Sequence, residues 1–116
     1  MKYLLIFNDS PYGSQRTFNG LRLAGSLAKR EPKELSIFLF GDGVVGGIAR
    51  QNPADPSYNV QEVLRLLAAQ GVKIAACKTC LEARGISEDA LVTGVRRGTL
   101  DELTDWTEDA GKVLVF

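Results

Sequence analysis

The chain alternates short, almost uniformly apolar runs with longer stretches in which apolar residues recur near helical spacing. The runs are Lys2-Tyr3-Leu4-Leu5-Ile6-Phe7, Leu35-Ser36-Ile37-Phe38-Leu39-Phe40, Val72-Lys73-Ile74-Ala75-Ala76 and Lys112-Val113-Leu114-Val115-Phe116. Runs of this length suit strands buried on both faces of a sheet. Between the first two, Phe18, Leu21, Leu23, Ala24 and Leu27 predict a helix capped by Ser14 and ended by Pro32. Before the third, Val63, Leu64, Leu66, Leu67 and Ala68 predict a helix capped by Asn59 or Ser57 and closed by Gly71. Val44 to Arg50 and Gly85 to Leu91 read as short helices, and Val95-Arg96 as a brief strand. Thr99-Leu100-Asp101-Glu102 has the capping-box pattern, with Leu103 and Trp106 on one face of the helix that follows.

Strand and helix in alternation predict right-handed crossovers. The expected fold is therefore a single α/β domain over residues 1–116, with a parallel or mostly parallel sheet of four to five strands and helices on both faces. The Pro-, Asn- and Asp-rich segment Gln51 to Ser57 reads as an exposed loop within that domain, not as a boundary.

Composition narrows the function classes. The 116 residues are 45% hydrophobic and 24% charged, an ordinary globular balance. Lys plus Arg and Asp plus Glu number 14 each, so no net field draws the molecule to nucleic acid or to an anionic membrane. Neither a membrane span nor a secretory signal is recognisable, and a cytoplasmic location is expected. In that compartment two cysteines rest reduced, which favours reactive thiols over a structural disulfide. Histidine is absent, which removes Ser–His and Cys–His catalysis and the commonest metal ligand. No metal site and no cofactor are expected, because zinc would need two ligands beyond the two cysteines.

Those cysteines form Cys77-Lys78-Thr79-Cys80, directly after the third apolar run and so at the carboxyl end of a strand. In open parallel sheets ligands collect at that edge, where loops and helix N-termini present free N–H groups that favour anions, a thiolate included. Lys78 and Arg84 are cations placed to lower a thiol pKa, and Cys77, ending the strand, is expected to be the more reactive sulfur. The loops after the first two strands should reach the same edge, bringing Asn8, Asp9 and Tyr12 from one and Asp42 from the other, a carboxylate there being a possible proton acceptor. The plainer reading makes both cysteines small core hydrophobes, Asp9 and Asp42 solvated loop carboxylates, and Arg96-Arg97 an exposed face. Gly41-Asp42-Gly43-Val44 and Gly46-Gly47 match neither dinucleotide nor Walker spacing, and tight turns account for these glycines.

Taken together, Asn8, Pro11-Tyr12-Gly13, Phe18-Asn19, Leu21-Arg22-Leu23-Ala24, Tyr58-Asn59, Cys77-Lys78-Thr79-Cys80, Arg84-Gly85-Ile86, Gly98-Thr99-Leu100 and Trp106-Thr107 resemble the YchN-like branch of the DsrE/DsrF-like family over nearly the whole chain. The resemblance implies a parallel α/β fold, a homo-oligomer (trimer or hexamer), and kinship with sulfur-relay proteins in which a cysteine takes sulfane sulfur as a persulfide and passes it on. Cys77 matches the relay cysteine, whereas Cys80 belongs to the YchN-like branch alone. The implied function is a cytoplasmic sulfur carrier or sulfurtransferase that works with donor and acceptor proteins. Cys77 would carry the persulfide and Cys80 would resolve it, with Asn8, Asp9, Tyr12, Asp42, Lys78, Thr79 and Arg84 around the substrate. Two other classes remain: an oligomer that binds a small anion or a partner without catalysis, and a thiol redox sensor using the Cys77/Cys80 pair.

Overall fold

A computed structural model describes residues 1–30 and 34–116. Five strands, β1 (Lys2–Phe7), β2 (Glu34–Leu39), β3 (Lys73–Cys77), β4 (Val95–Gly98) and β5 (Lys112–Val115), form one sheet in the order β4-β3-β2-β1-β5. Every neighbouring pair is parallel. Four helices connect them: α1 (Arg16–Ala28), α2 (Val60–Ala69), α3 (Lys78–Ala83) and α4 (Leu100–Asp109). The α/β architecture expected from the sequence is thus present, with five strands.

Alternation along a strand sends successive side chains to opposite faces, and each face finds its own helix. Phe38 meets Trp106 of α4 edge-on, ring centroids 6.1 Å apart. Leu39, one residue on, is paired with Phe7, whose ring lies under Gly20 of α1. So α4 covers one face and α1, with α2 beside it, covers the other. Leu4, Leu5, Phe7, Ile37, Phe38, Leu39 and Leu64 are fully buried between these layers, which explains why the strand runs carry so few polar residues. β5 pairs with β1 alone, and its outer positions Val113 and Val115 stay 38% and 63% exposed.

Several local expectations shift. The buried stripe of α1 is Thr17, Gly20, Leu21 and Ala24, leaving Leu23 at 41% exposure. The reason is close approach: a Cβ on Gly20 would lie 2.5 Å from the Phe7 ring, so small residues rather than bulky ones define that face. In α2, Leu66 likewise faces outward at 47% exposure. Ser14 sits one residue before the capping position of α1, its hydroxyl oxygen accepting the Arg16 N–H at 3.4 Å. The capping position falls on Gln15 with no side-chain bond, and the Ser14 hydroxyl donates to Asp9 at 3.2 Å. Asn59 caps α2 and Thr99 caps α4, each accepting the N–H of Glu62 or Glu102. Only that half of the Thr99 capping box forms, because Glu102 turns its carboxylate to Arg96. Pro32 lies outside the described residues.

The helix expected over Val44 to Arg50 is instead a 3₁₀ segment, Gly41–Gly47, and that over Gly85 to Leu91 is a single 3₁₀ turn, Glu88–Ala90. Glycine disfavours a regular α-helix at the first of these, and packing demands it there. A Cβ on Gly43 would sit 2.0 Å from the Phe7 carbonyl oxygen, and one on Gly47 3.1 Å from Leu39. The helix missed from the sequence is α3, whose six residues bury only Leu81 and so carry no readable periodicity.

Gly41 and Gly43 should respond differently to a methyl group. Gly41 has open space but φ of +55°, so Gly41→Ala should cost about 1 kcal/mol. Gly43→Ala meets fixed backbone and should cost about 3 kcal/mol, a ranking that urea unfolding of the two variants will check.

Candidate functional site

The parallel register brings the carboxyl ends of β1, β2 and β3 to one edge, and two sulfurs sit there on the end of β3. Cys77 is both the last residue of β3, paired with Gly98, and the capping residue of α3. The chain turns directly from strand to helix. That turn aims the Cys80 N–H at the Cys77 sulfur, 3.4 Å away, and places the Thr79 hydroxyl 3.3 Å from it. Cys80, one helical turn on, receives the Gly41 N–H at 3.2 Å. Arg84 closes the arrangement, donating to the Cys80 carbonyl at 3.0 Å and to Asp42 at 2.7 Å. Asp42, Arg84, Thr79 and both cysteines are therefore one connected cluster.

The two thiols hold their protons differently. Burial pushes the Cys77 thiol up, but hydrogen bonds from Cys80 and Thr79, side chain and backbone alike, outweigh it and hold the thiol below its ordinary value. Burial also pushes Cys80 up, and the hydrogen bond and negative charge of Cys77 raise it further against the smaller opposing pull of the Gly41 N–H and Arg84. The pair thus has a preferred division of labour: Cys77 ionises first and Cys80 keeps its proton. Both are free thiols, Cys77 only 3% exposed and Cys80 half-buried. Among the described residues the Cys77 anion rests on hydrogen bonds, not on Lys78, whose side chain is exposed and partnerless.

The remaining expected residues lie on the same edge but face elsewhere. Asn8 bonds the Phe116 carbonyl through its backbone N–H at 2.7 Å and its side chain at 3.4 Å. Asp9 accepts from Ser14, and its carbonyl accepts from Thr17. The Tyr12 hydroxyl donates to Gln51 at 2.6 Å and accepts the Val60 N–H at 3.2 Å, tying its loop to α2. The Gly41 N–H donor to Cys80 was not foreseen as such; the only sequence signal for it is the crowding of glycine after β2.

A five-stranded parallel α/β domain with a dithiol at its carboxyl edge is the class these features define. The profile of the DsrE/DsrF-like family matches residues 1–116, and the chain belongs to that family. It is 46% identical to Protein YchN of Escherichia coli strain K12 over 116 residues, 99% of this chain and 98% of that protein. The crystal structure of that Escherichia coli ychN protein superimposes with a TM-score of 0.95, covering 100% of this chain and 99% of the other. A Sulfurtransferase TusD homolog of Vibrio vulnificus strain CMCP6 is 28% identical over 113 residues, 96% of this chain and 85% of that protein. No helix among the described residues is long and apolar enough to cross a membrane.

The thiolate absorbance of the pair should rise in two steps with pH, the lower belonging to Cys77. Cys77→Ser should erase the lower step, and Thr79→Ala should move it upward. Folding stability follows with opposite signs. The depressed Cys77 value stabilises the fold above its unfolded pKa and loses that contribution as pH falls through the folded value. The raised Cys80 value stabilises it below its unfolded pKa and loses that as pH rises through the folded value. Urea midpoints of the two Cys→Ser variants across pH check both signs.

Proposed function

We propose that this protein is a cytoplasmic sulfur-relay protein that carries sulfane sulfur as a persulfide on Cys77. The observation that carries the reading is the set of hydrogen bonds converging on the Cys77 sulfur, which favours the thiolate needed to attack a donor. Membership of the DsrE/DsrF-like family and similarity to a sulfurtransferase homolog support the same chemistry.

In the forward step the Cys77 thiolate attacks the outer sulfur of a donor persulfide, a new S–S bond forms, and the donor thiolate leaves. An acceptor thiolate repeats that exchange on the outer sulfur and regenerates Cys77. Alternatively Cys80, once deprotonated, attacks the inner sulfur. Hydrosulfide leaves, and a Cys77–Cys80 disulfide remains for a dithiol reductant to reopen. Burial, the largest cause of the raised Cys80 value, disfavours the thiolate that this discharge needs. Since Cys77 is 3% exposed, loading requires a local opening that uncovers its sulfur.

Intact mass after incubation with a persulfide donor and gel filtration tests the reading. One added sulfur on the parent chain, none on Cys77→Ser and more on Cys80→Ser is expected. The burial of Cys77 favours a second reading, a redox sensor, since an internal disulfide needs no bulky partner. Loss of two hydrogens with no sulfur uptake would select it.

The relay protein is further proposed to be a homo-oligomer, a trimer or hexamer. β5 is an edge strand whose Val113 and Val115 are 38% and 63% exposed, an apolar sheet edge open to a second copy of the chain. Val115→Glu should shift sedimentation toward the monomer while leaving the far-ultraviolet spectrum unchanged.

A further inference from the structure

A cleft of about 230 Å³ lined by Lys78, Glu88, Arg97, Gly98 and Thr99 lies at the strand neighbouring Cys77, with neither cysteine in its lining. Its position is set by the sheet: Gly98 is the ladder partner of Cys77, Lys78 follows Cys77 in the chain, and Thr99 follows Gly98. Partners in adjacent strands lie about 5 Å apart, so the cleft opens one ladder step from the sulfur-bearing residue.

The lining carries two cations and one carboxylate, and the carboxylate is already engaged. Glu88 accepts the backbone N–H of Arg97 at 3.0 Å and faces its Nε at 3.5 Å. That leaves both Nη groups of Arg97, and the ammonium of Lys78, without a hydrogen-bond partner among the described residues. The Thr99 hydroxyl accepts the Glu102 N–H and keeps its own proton to donate. The other arginine of this region is spent otherwise: Arg96 forks onto Glu102 and lies over the Trp106 ring at 5.8 Å. Arg97 and Lys78 thus face open solvent across the cleft with unused donors.

We propose that this cleft binds the oxyanion end of a small sulfur donor, a tetrahedral sulfur oxyanion held by Arg97, Lys78 and Thr99 next to Cys77. A planar guanidinium beside an ammonium suits a group with several acceptor oxygens. The member of this class that also carries sulfane sulfur is thiosulfate. The inference rests on the sulfur-relay reading for its chemistry but not for its binding. With thiosulfate the Cys77 thiolate attacks the outer sulfur, the S–S bond breaks, its electron pair leaves on sulfite, and Cys77 retains the sulfur as a persulfide. Charge and atoms balance with no added oxidant or reductant.

Binding is tested apart from transfer by titrating inorganic sulfate, which has no sulfur to give, into isotope-labelled full-length Cys77→Ser protein at constant ionic strength. Saturable amide shifts centred on Lys78, Gly98 and Thr99 are expected, with affinity lowered about tenfold by Arg97→Ala and by Lys78→Ala, as for one lost charge-assisted hydrogen bond. Lys78→Ala breaks no contact among the described residues, so it remains informative if Arg97→Ala disturbs Glu88. Equal shifts with chloride, or unchanged sulfate affinity in both variants, overturns the site. Sulfate binding at the cleft without a sulfur adduct on the parent chain from thiosulfate or from a persulfide keeps the site and removes the relay. An adduct from an uncharged polysulfide, with no sulfate binding, keeps the relay and removes the site.

Discussion

The carbonyl of Phe7, at the end of β1, is the point on which the site depends. It accepts the Phe40 N–H at 2.9 Å, and the Gly43 backbone rests so close that a Cβ there would lie 2.0 Å away. This contact folds the segment after β2 down over the carboxyl edge of the sheet. The Gly41 N–H is thereby delivered to the Cys80 sulfur, and Asp42 to Arg84. Parallel pairing of β1, β2 and β3 is what puts the three strand ends side by side in the first place. A site assembled in this way belongs to the tertiary structure, since its donors come from segments about 40 residues apart.

Two thiols of identical chemistry become unequal through a single turn of backbone. Burial alone would keep both protonated, and the more buried Cys77 most of all. Hydrogen bonds to a charged acceptor contribute about 1.5–3 kcal/mol each, so the several reaching the Cys77 sulfur outweigh the desolvation of a group at the rim of the core. Cys80, lying beside an anion, then has every reason to remain neutral. The C-x-x-C spacing sets the two sulfurs a helical turn apart, but the capping geometry at the β3–α3 junction decides which is the anion.

The ion pairs around the edge are exposed and contribute little stability individually, about 0–1 kcal/mol. Their value is positional. Arg84 links α3 to the Gly41–Gly47 segment and so holds both neighbours of Cys80. Arg96 locks the start of α4 through Glu102 and Trp106, while Glu88 orients Arg97 by its backbone and Nε and leaves its outer donors open. Of the adjacent arginines, one serves the fold and the other is available for binding.

Sequence alone was enough to read the strands, the alternation of strand and helix, the parallel sheet, the cap Thr99, the α2 cap as one of Asn59 and Ser57, and the placement of the cysteines at a strand end. These follow from local periodicity and from rules of chain connection that hold for any sequence. The family, too, was readable, because its motifs are spread over nearly the whole chain. The amphipathic face of α1 was misjudged, with Leu23 outward and Gly20 inward, since the size of the gap above Phe7 is a property of the packed sheet. The helix α3 escaped notice because six residues hold too little pattern to show a period, and the Gly41–Gly47 segment took its form from glycines needed for close contact. What tertiary structure alone decided is the environment of each sulfur. Thr79 and the α3 backbone reach Cys77, Gly41 and Arg84 gather at Cys80, and Asn8 and Tyr12 turn to Phe116, Gln51 and Val60. Hydrogen-bond direction is fixed only when distant segments meet, and no spacing along the chain encodes it.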